Sequence, residues 1–187
     1  MIGPSFAAVL AAATDGDELA FGVLWRDLQP PLLRYLNAFA PGAGEDLASE
    51  TWLRIVGALG SFSGDERAFR AWIFTVARYR AVDRWRRATR HQDELVPLDA
   101  LTDLPADDDP AAAAVDAISS QAAVARIATL PPDQAEVVLL RVVAGLDVAQ
   151  VATITGKRPG TVRVLAHRAL RRLAQRLDAD ERVRGAV

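Results

Sequence analysis

Apolar residues recur at intervals of three and four along most of this chain, the spacing that gathers them on one side of an α-helix. Alternating β-branched runs bounded by turn dipeptides, the mark of strands, are missing. The pattern predicts an all-α fold. A first helix is expected from Ser5 to Ala13 and a second from Asp17 to Phe39, kinked or broken at Pro30 and Pro31, which cannot donate to the helical ladder. Pro41, Gly42 and Gly44 mark a turn. The next helix is expected from Glu45 to Leu59, with Leu47, Thr51, Ile55, Val56 and Leu59 as its buried stripe. Gly60 to Glu66 reads as a short polar loop, and Arg67 to Thr89 as a long helix.

Between His91 and Pro110 the pattern lapses. Pro97, Pro105 and Pro110 stand among acidic residues there, so the stretch reads as a tether rather than one helix. Helices resume near Ala111 and run to Leu130; Pro131 and Pro132 restart the chain, a helix spans Gln134 to Ala144, and Gly145 stops it. The expected organisation is two small helical domains, 1–90 and 111–187, joined by an acidic flexible linker at 91–110.

From Asp147 to Arg172 the punctuation is that of a helix-turn-helix. Asp147 can cap a helix with its carboxylate, and Gln150 stands three residues on, where a capping box takes Gln or Glu. Gly156 supplies the turn, and Pro159 suits the first turn of the next helix because its missing N–H would be unpaired there in any case. On a helical wheel Val162, Leu165, Ala166, Ala169 and Leu173 share one side, and Arg163, Val164, His167, Arg168 and Arg171 the other. One side can bury while the other enters a major groove. Arg bonds guanine bidentately and is the expected base reader, whereas Lys157, Arg158, Arg172 and Arg176 suit phosphate. A solvated basic face is the plainer reading of such a helix; the capped helix and glycine turn before it favour DNA.

Charge sharpens this picture. The 187-residue chain has a formal net charge of −2, unlike the basic totals usual for nucleic-acid binding. That value is a cancellation. Arg67 to His91 holds eight arginines against Asp83 alone, Gln92 to Ala117 holds eight acids and no Lys or Arg, and Gly156 to Leu177 holds seven Lys and Arg and no acid. The same part of the N-terminal domain is also aromatic: Trp52, Phe62, Phe69, Trp72, Phe74, Tyr79 and Trp85 crowd it, and no aromatic residue follows Trp85. Phe69, Trp72, Ile73 and Val76 form one side of its long helix, and Phe74, Arg78, Ala81 and Trp85 the other. Rings interleaved with Arg suit single-stranded DNA, where bases stack on aromatics and cations hold the backbone. Most such rings serve as core, and only some are expected at DNA.

Other classes recede. Cysteine is absent, which excludes disulfides and thiolate metal sites. The two histidines, His91 and His167, and the lack of a phosphate loop or nucleophile motif argue against an enzyme, a cofactor and a metal. No apolar run approaches a membrane span and no signal-peptide pattern opens the chain, so a cytoplasmic location without membrane insertion is expected. A two-domain helix-turn-helix regulator acting without polymerase would explain the C-terminal domain but not the aromatic, arginine-rich helix.

The segments EDLASETWLRIV, FRAWIFTVARYRAVDRWRR, LPPDQAEVVLLRVVAGLDVAQVATITG and PGTVRVLAHRALRRL, in that order and spacing, resemble the extracytoplasmic-function (ECF) group of bacterial RNA polymerase sigma factors, from about Phe21 to Leu177. The resemblance implies binding to polymerase core through the β′ clamp helices and the β flap, promoter DNA as both duplex and melted non-template strand, and an anti-sigma partner. It implies docking on the clamp helices by Asp46, Glu50 and Arg54; minus-10 recognition and melting by Phe62, Trp72, Arg78, Tyr79, Asp83, Arg84, Arg86 and Arg87; and minus-35 contact by Lys157, Arg158, Thr161, Arg163, Val164, His167, Arg168 and Arg171. The acidic linker is either a solvated tether or, as in the family, a strand threading the polymerase towards the RNA path. Two departures stand out. Tyr79 occupies a place where the family often has Asn, and Val164 and Leu165 stand where polar or basic residues are common, which implies fewer hydrogen bonds to minus-35 bases.

Overall fold

Asp17 sets the first long helix: its carboxylate accepts from the backbone N–H of Leu19 and Ala20 at 2.8 and 3.0 Å, satisfying donors that a helix start leaves unpaired. The computed structural model describes residues 1–90 and 122–184, with side chains over 1–84 and 122–176. The linker expected at 91–110 and the helix start near Ala111 lie outside the described residues. A 3-10 turn at Gly3–Ser5 leads into α1 (Phe6–Thr14), followed by α2 (Glu18–Phe39), α3 (Gly44–Ala58) and α4 (Glu66–Arg90). The later elements are α5 (122–128), α6 (Pro132–Val138), a π-helical turn at Leu139–Val143, α7 (Val148–Thr155) and α8 (Pro159–Arg184). Among the described residues no strand occurs, and the fold is all-α.

Three expectations are corrected. α2 is not broken: it runs as one helix through Pro30 and Pro31. Two ladder donors are lost there, but Leu24, Leu28, Pro31, Leu32, Tyr35 and Leu36 all bury from this helix, and Arg34 Nε donates to the Pro30 carbonyl at 3.2 Å. At ~1.5–3 kcal/mol for each buried side chain, that burial outweighs two weak hydrogen bonds. Val56 does not belong to the buried stripe of α3, since it is 53% exposed. It follows Leu47 by nine residues, about two and a half turns, and so faces the opposite way; Ala48 and Trp52 are buried instead. The helix expected from Gln134 to Ala144 starts two residues earlier and changes to π geometry at Leu139.

Leu24, Leu32, Tyr35, Leu36, Leu47, Ile55, Phe69, Ile73 and Phe74 are fully buried among the N-terminal helices. Leu139, Leu140, Leu146, Val151, Val162 and Ala169 do the same for the C-terminal helices. Both sets belong to one apolar cluster. It is continuous because α2 meets the π-helical turn and α4 meets α7.

Candidate nucleic-acid interface

The turn between α7 and α8 is built from local chemistry. The Gln150 N–H donates to Asp147 Oδ1 and the Asp147 N–H to Gln150 Oε1, each at 2.9 Å, completing a capping box. Gly156 ends α7 at φ 68°, in the left-handed region that a side chain resists. Pro159 then opens α8. Val162 and Ala169 are fully buried, and Leu165, Ala166 and Leu173 lie against the apolar cluster. Thr161, Arg163, Val164, His167, Arg168 and Arg171 are all exposed. The structure thus places six of the eight expected minus-35 residues on one exposed face of one helix, with Lys157 and Arg158 in the turn before it.

The cations expected at phosphate are placed differently from one another. Arg158 is exposed. Lys157 Nζ lies 3.1 Å from the Asp133 carboxylate. Arg172 donates to Gln134 Oε1 at 3.1 Å, and Arg176 donates to the Thr129 hydroxyl. Lys157, Arg172 and Arg176 therefore help to hold α8 on α5 and α6.

In the N-terminal helices the aromatic residues divide. Phe69 and Phe74 are fully buried, with Phe62 edge-on to Phe69 at 5.2 Å and Tyr35 edge-on to Phe74 at 5.5 Å. They are core. Phe62 and Trp72 instead stack nearly parallel, 5.1 Å apart at 18°, both half-buried. They line an open cleft of about 460 Å³ with Arg54, Ser61, Ser63 and Val76. Tyr79 is 68% exposed on the same helix. Arg84 is exposed and Asp83 half-buried; the side chains of Trp85, Arg86 and Arg87 lie outside those described.

Arg78 departs most from expectation. Its Nε donates to Glu136 Oε1 at 2.6 Å, and Glu136 is only 5% exposed. Burial alone would lower the Arg78 pKa, but the bond and the attraction to Glu136 raise it above its ordinary value. Close by, the Tyr35 phenol is fully buried with no hydrogen-bond partner. Burial first, then the Glu136 charge, pushes its pKa far above the usual tyrosine range, against the pull of Arg78. A second polar link joins the two groups of helices, from Gln150 Nε2 to the Arg67 carbonyl at 3.0 Å. In this arrangement Arg78 serves the contact between helix groups, with its side chain 30% exposed.

On α3, Asp46, Glu50 and Arg54 are exposed together. Leu53, 75% exposed, lies beside them on the Asp46 side of the helix. The helical wheel alone places this exposed apolar residue next to the charged face. Among the described residues no cluster of three His, Asp or Glu could hold a metal ion, and no helix is long and apolar enough to cross a membrane.

Comparison with known proteins follows this division of the chain. Residues 24–91 match the Sigma-70 region 2 family and residues 120–173 the Sigma-70, region 4 family. The ECF RNA polymerase sigma factor BldN of Streptomyces coelicolor is 33% identical over 172 residues, covering 91% of this chain; the match spans 65% of BldN. The ECF RNA polymerase sigma factor ShbA of Streptomyces griseus is 36% identical over 177 residues, covering 89% of this chain and 92% of ShbA. Among solved structures, the sigma factor RpoE of Bartonella quintana, in complex with the anti-sigma factor NepR, superposes with a TM-score of 0.67 at 24% identity, covering 86% of this chain and 98% of that one. That likeness concerns the fold. Two sigma-region matches in order, with relatives aligned over most of both chains, carry the conclusion: this protein belongs to the ECF RNA polymerase sigma factors of the sigma-70 family.

Proposed function

We propose that this protein binds RNA polymerase core and directs it to promoters through two DNA grips, leaving all bond chemistry to the polymerase. The observation that carries this is the α8 face, where Thr161, Arg163, Val164, His167 and Arg168 stand exposed opposite buried Val162 and Ala169. That face enters the major groove at the minus-35 element, with Arg163 and Arg168 reaching base edges and Arg158 phosphate. The second grip is the cleft beside Phe62 and Trp72. An unstacked base of the non-template strand can lie on such rings, worth ~1–3 kcal/mol, while Tyr79 and Arg84 follow the strand. The organisation proposed is residues 1–90 for core docking and the minus-10 element, 91–110 as linker, and 111–187 for the minus-35 element.

Asp46, Glu50 and Arg54, with Leu53 beside them, form the surface for the β′ clamp helices; the C-terminal domain meets the β flap. Such a protein works in the cytoplasm. The likeness to the Bartonella quintana sigma factor supports an anti-sigma factor as a further partner. A regulator acting without polymerase would leave the α3 surface and the aromatic cleft without a use. The test is to add the purified protein to sigma-free core and measure binding and promoter-dependent transcripts. Asp46→Ala with Glu50→Ala should weaken core binding while leaving the fold unchanged.

A further inference from the structure

In the first two turns of α8, the part of a groove-reading helix that meets base edges, Val164 stands exposed between Thr161 and Arg163 on the helical wheel. At 100° per residue, the direction opposite the buried Val162 and Ala169 falls between Gly160 and Arg171, with Val164 about 30° to one side. Thr161 and Arg168 lie to one flank, and Arg163 and His167 to the other; all four are exposed. Val164 is 49% exposed, and it differs from Leu165, which packs on the apolar cluster. Gly160 stands one turn before Val164 on the same line. A Cβ built there would meet nothing within 4 Å, so the chain's own packing does not demand glycine at this position. Side chains on a helix lean towards its N-terminus, and any residue but glycine at 160 would stand beside the space into which Val164 leans. The first two turns of α8 therefore present an apolar side chain, Val164, between Thr161 and Arg163, with the bare backbone of Gly160 one turn before it, while Arg171 lies two turns further along the helix.

In the major groove the one apolar group a base edge offers is the C5 methyl of thymine. We propose that Val164 is a specificity-determining residue of the minus-35 grip and reads a thymine methyl, with Gly160 clearing the backbone's approach. This rests on the minus-35 reading of α8 given above. Arg163 and Arg168 supply hydrogen bonds on either side, and Val164 supplies a methyl contact in the middle that discriminates thymine by shape and desolvation.

The test uses full-length protein with polymerase core. Promoters selected from a pool randomised across the minus-35 element define the preferred sequence, and each thymine is then replaced singly by deoxyuridine, which removes only the methyl group. At one position the wild type should lose about fourfold in promoter use, the discrimination one buried methyl supplies. Placing cytosine there and then 5-methylcytosine should restore that share. Val164→Ala should bind all these promoters without a thymine–uracil difference, and its thermal unfolding should match the wild type because the side chain supports no core. A wild type indifferent to the methyl at every thymine would overturn the proposal, as would a Val164→Ala variant with undiminished methyl dependence. Failure to select any minus-35 sequence, or to start transcription at all, would instead sink the sigma reading, and this inference with it.

Discussion

Two arginines show how much a side chain's partner decides. Arg163 and Arg78 are candidates for different DNA elements in the sequence, and Arg163 is exposed on α8 while Arg78 is bonded to a buried carboxylate. Arg163→Ala should therefore weaken minus-35 use directly, by about 1–3 kcal/mol if it bonds a guanine, or roughly fivefold to 150-fold. Holoenzyme binding to minus-35 duplexes with each base varied would show that loss concentrated at one position. Arg158→Ala, a phosphate contact, should instead weaken all sequences alike and reduce the slope of log affinity against log salt by about one. Trp72→Ala should leave duplex minus-35 binding intact and impair strand opening, measured by permanganate reactivity of melted thymines; unchanged reactivity would count against the cleft as a base site.

At the scale of elements, the best-read parts were those written in adjacent residues. Asp147, Gln150, Gly156 and Pro159 act through bonds to their own backbone, so their spacing alone indicated the helix-turn-helix, and each does what its chemistry dictates. Asp147→Ala should cost about 1 kcal/mol of stability through the lost cap, and Gly156→Ala about the same through left-handed strain. Urea midpoints shifted downward for both would confirm it. What the sequence hid depends on distant partners. Val56 is apolar yet exposed because nine residues from Leu47 put it on the far side of α3; Pro30 and Pro31 stay helical because Leu24, Leu32 and Leu36 anchor α2 on both sides of them. The π-helical turn at Leu139 leaves no trace in a three-to-four spacing. The Arg78 pairing joins residues 58 apart in sequence, beyond any local pattern.

Over the whole molecule, a net charge of −2 coexists with two basic blocks because the opposing acids lie elsewhere in the sequence, eight between Gln92 and Ala117 and one, Glu136, in the contact between helix groups. Glu136→Gln removes the charge facing Arg78 and should weaken that contact by ~1–3 kcal/mol, between an exposed pair and a fully buried one, since the Arg78 side chain keeps 30% exposure. Small-angle scattering should then show a larger radius of gyration with unchanged helical content; an unaltered envelope would mean that the apolar contacts alone hold the groups together. The central claim is that this chain supplies promoter recognition to a polymerase that lacks it. It is tested most directly by transcription from a selected promoter with sigma-free core, with and without the protein. The account predicts transcripts that start at one site, require this protein, and fall together on Asp46→Ala/Glu50→Ala and on Arg163→Ala. Tight binding of the same promoter by the protein alone, with no association with core and no transcripts, would contradict it.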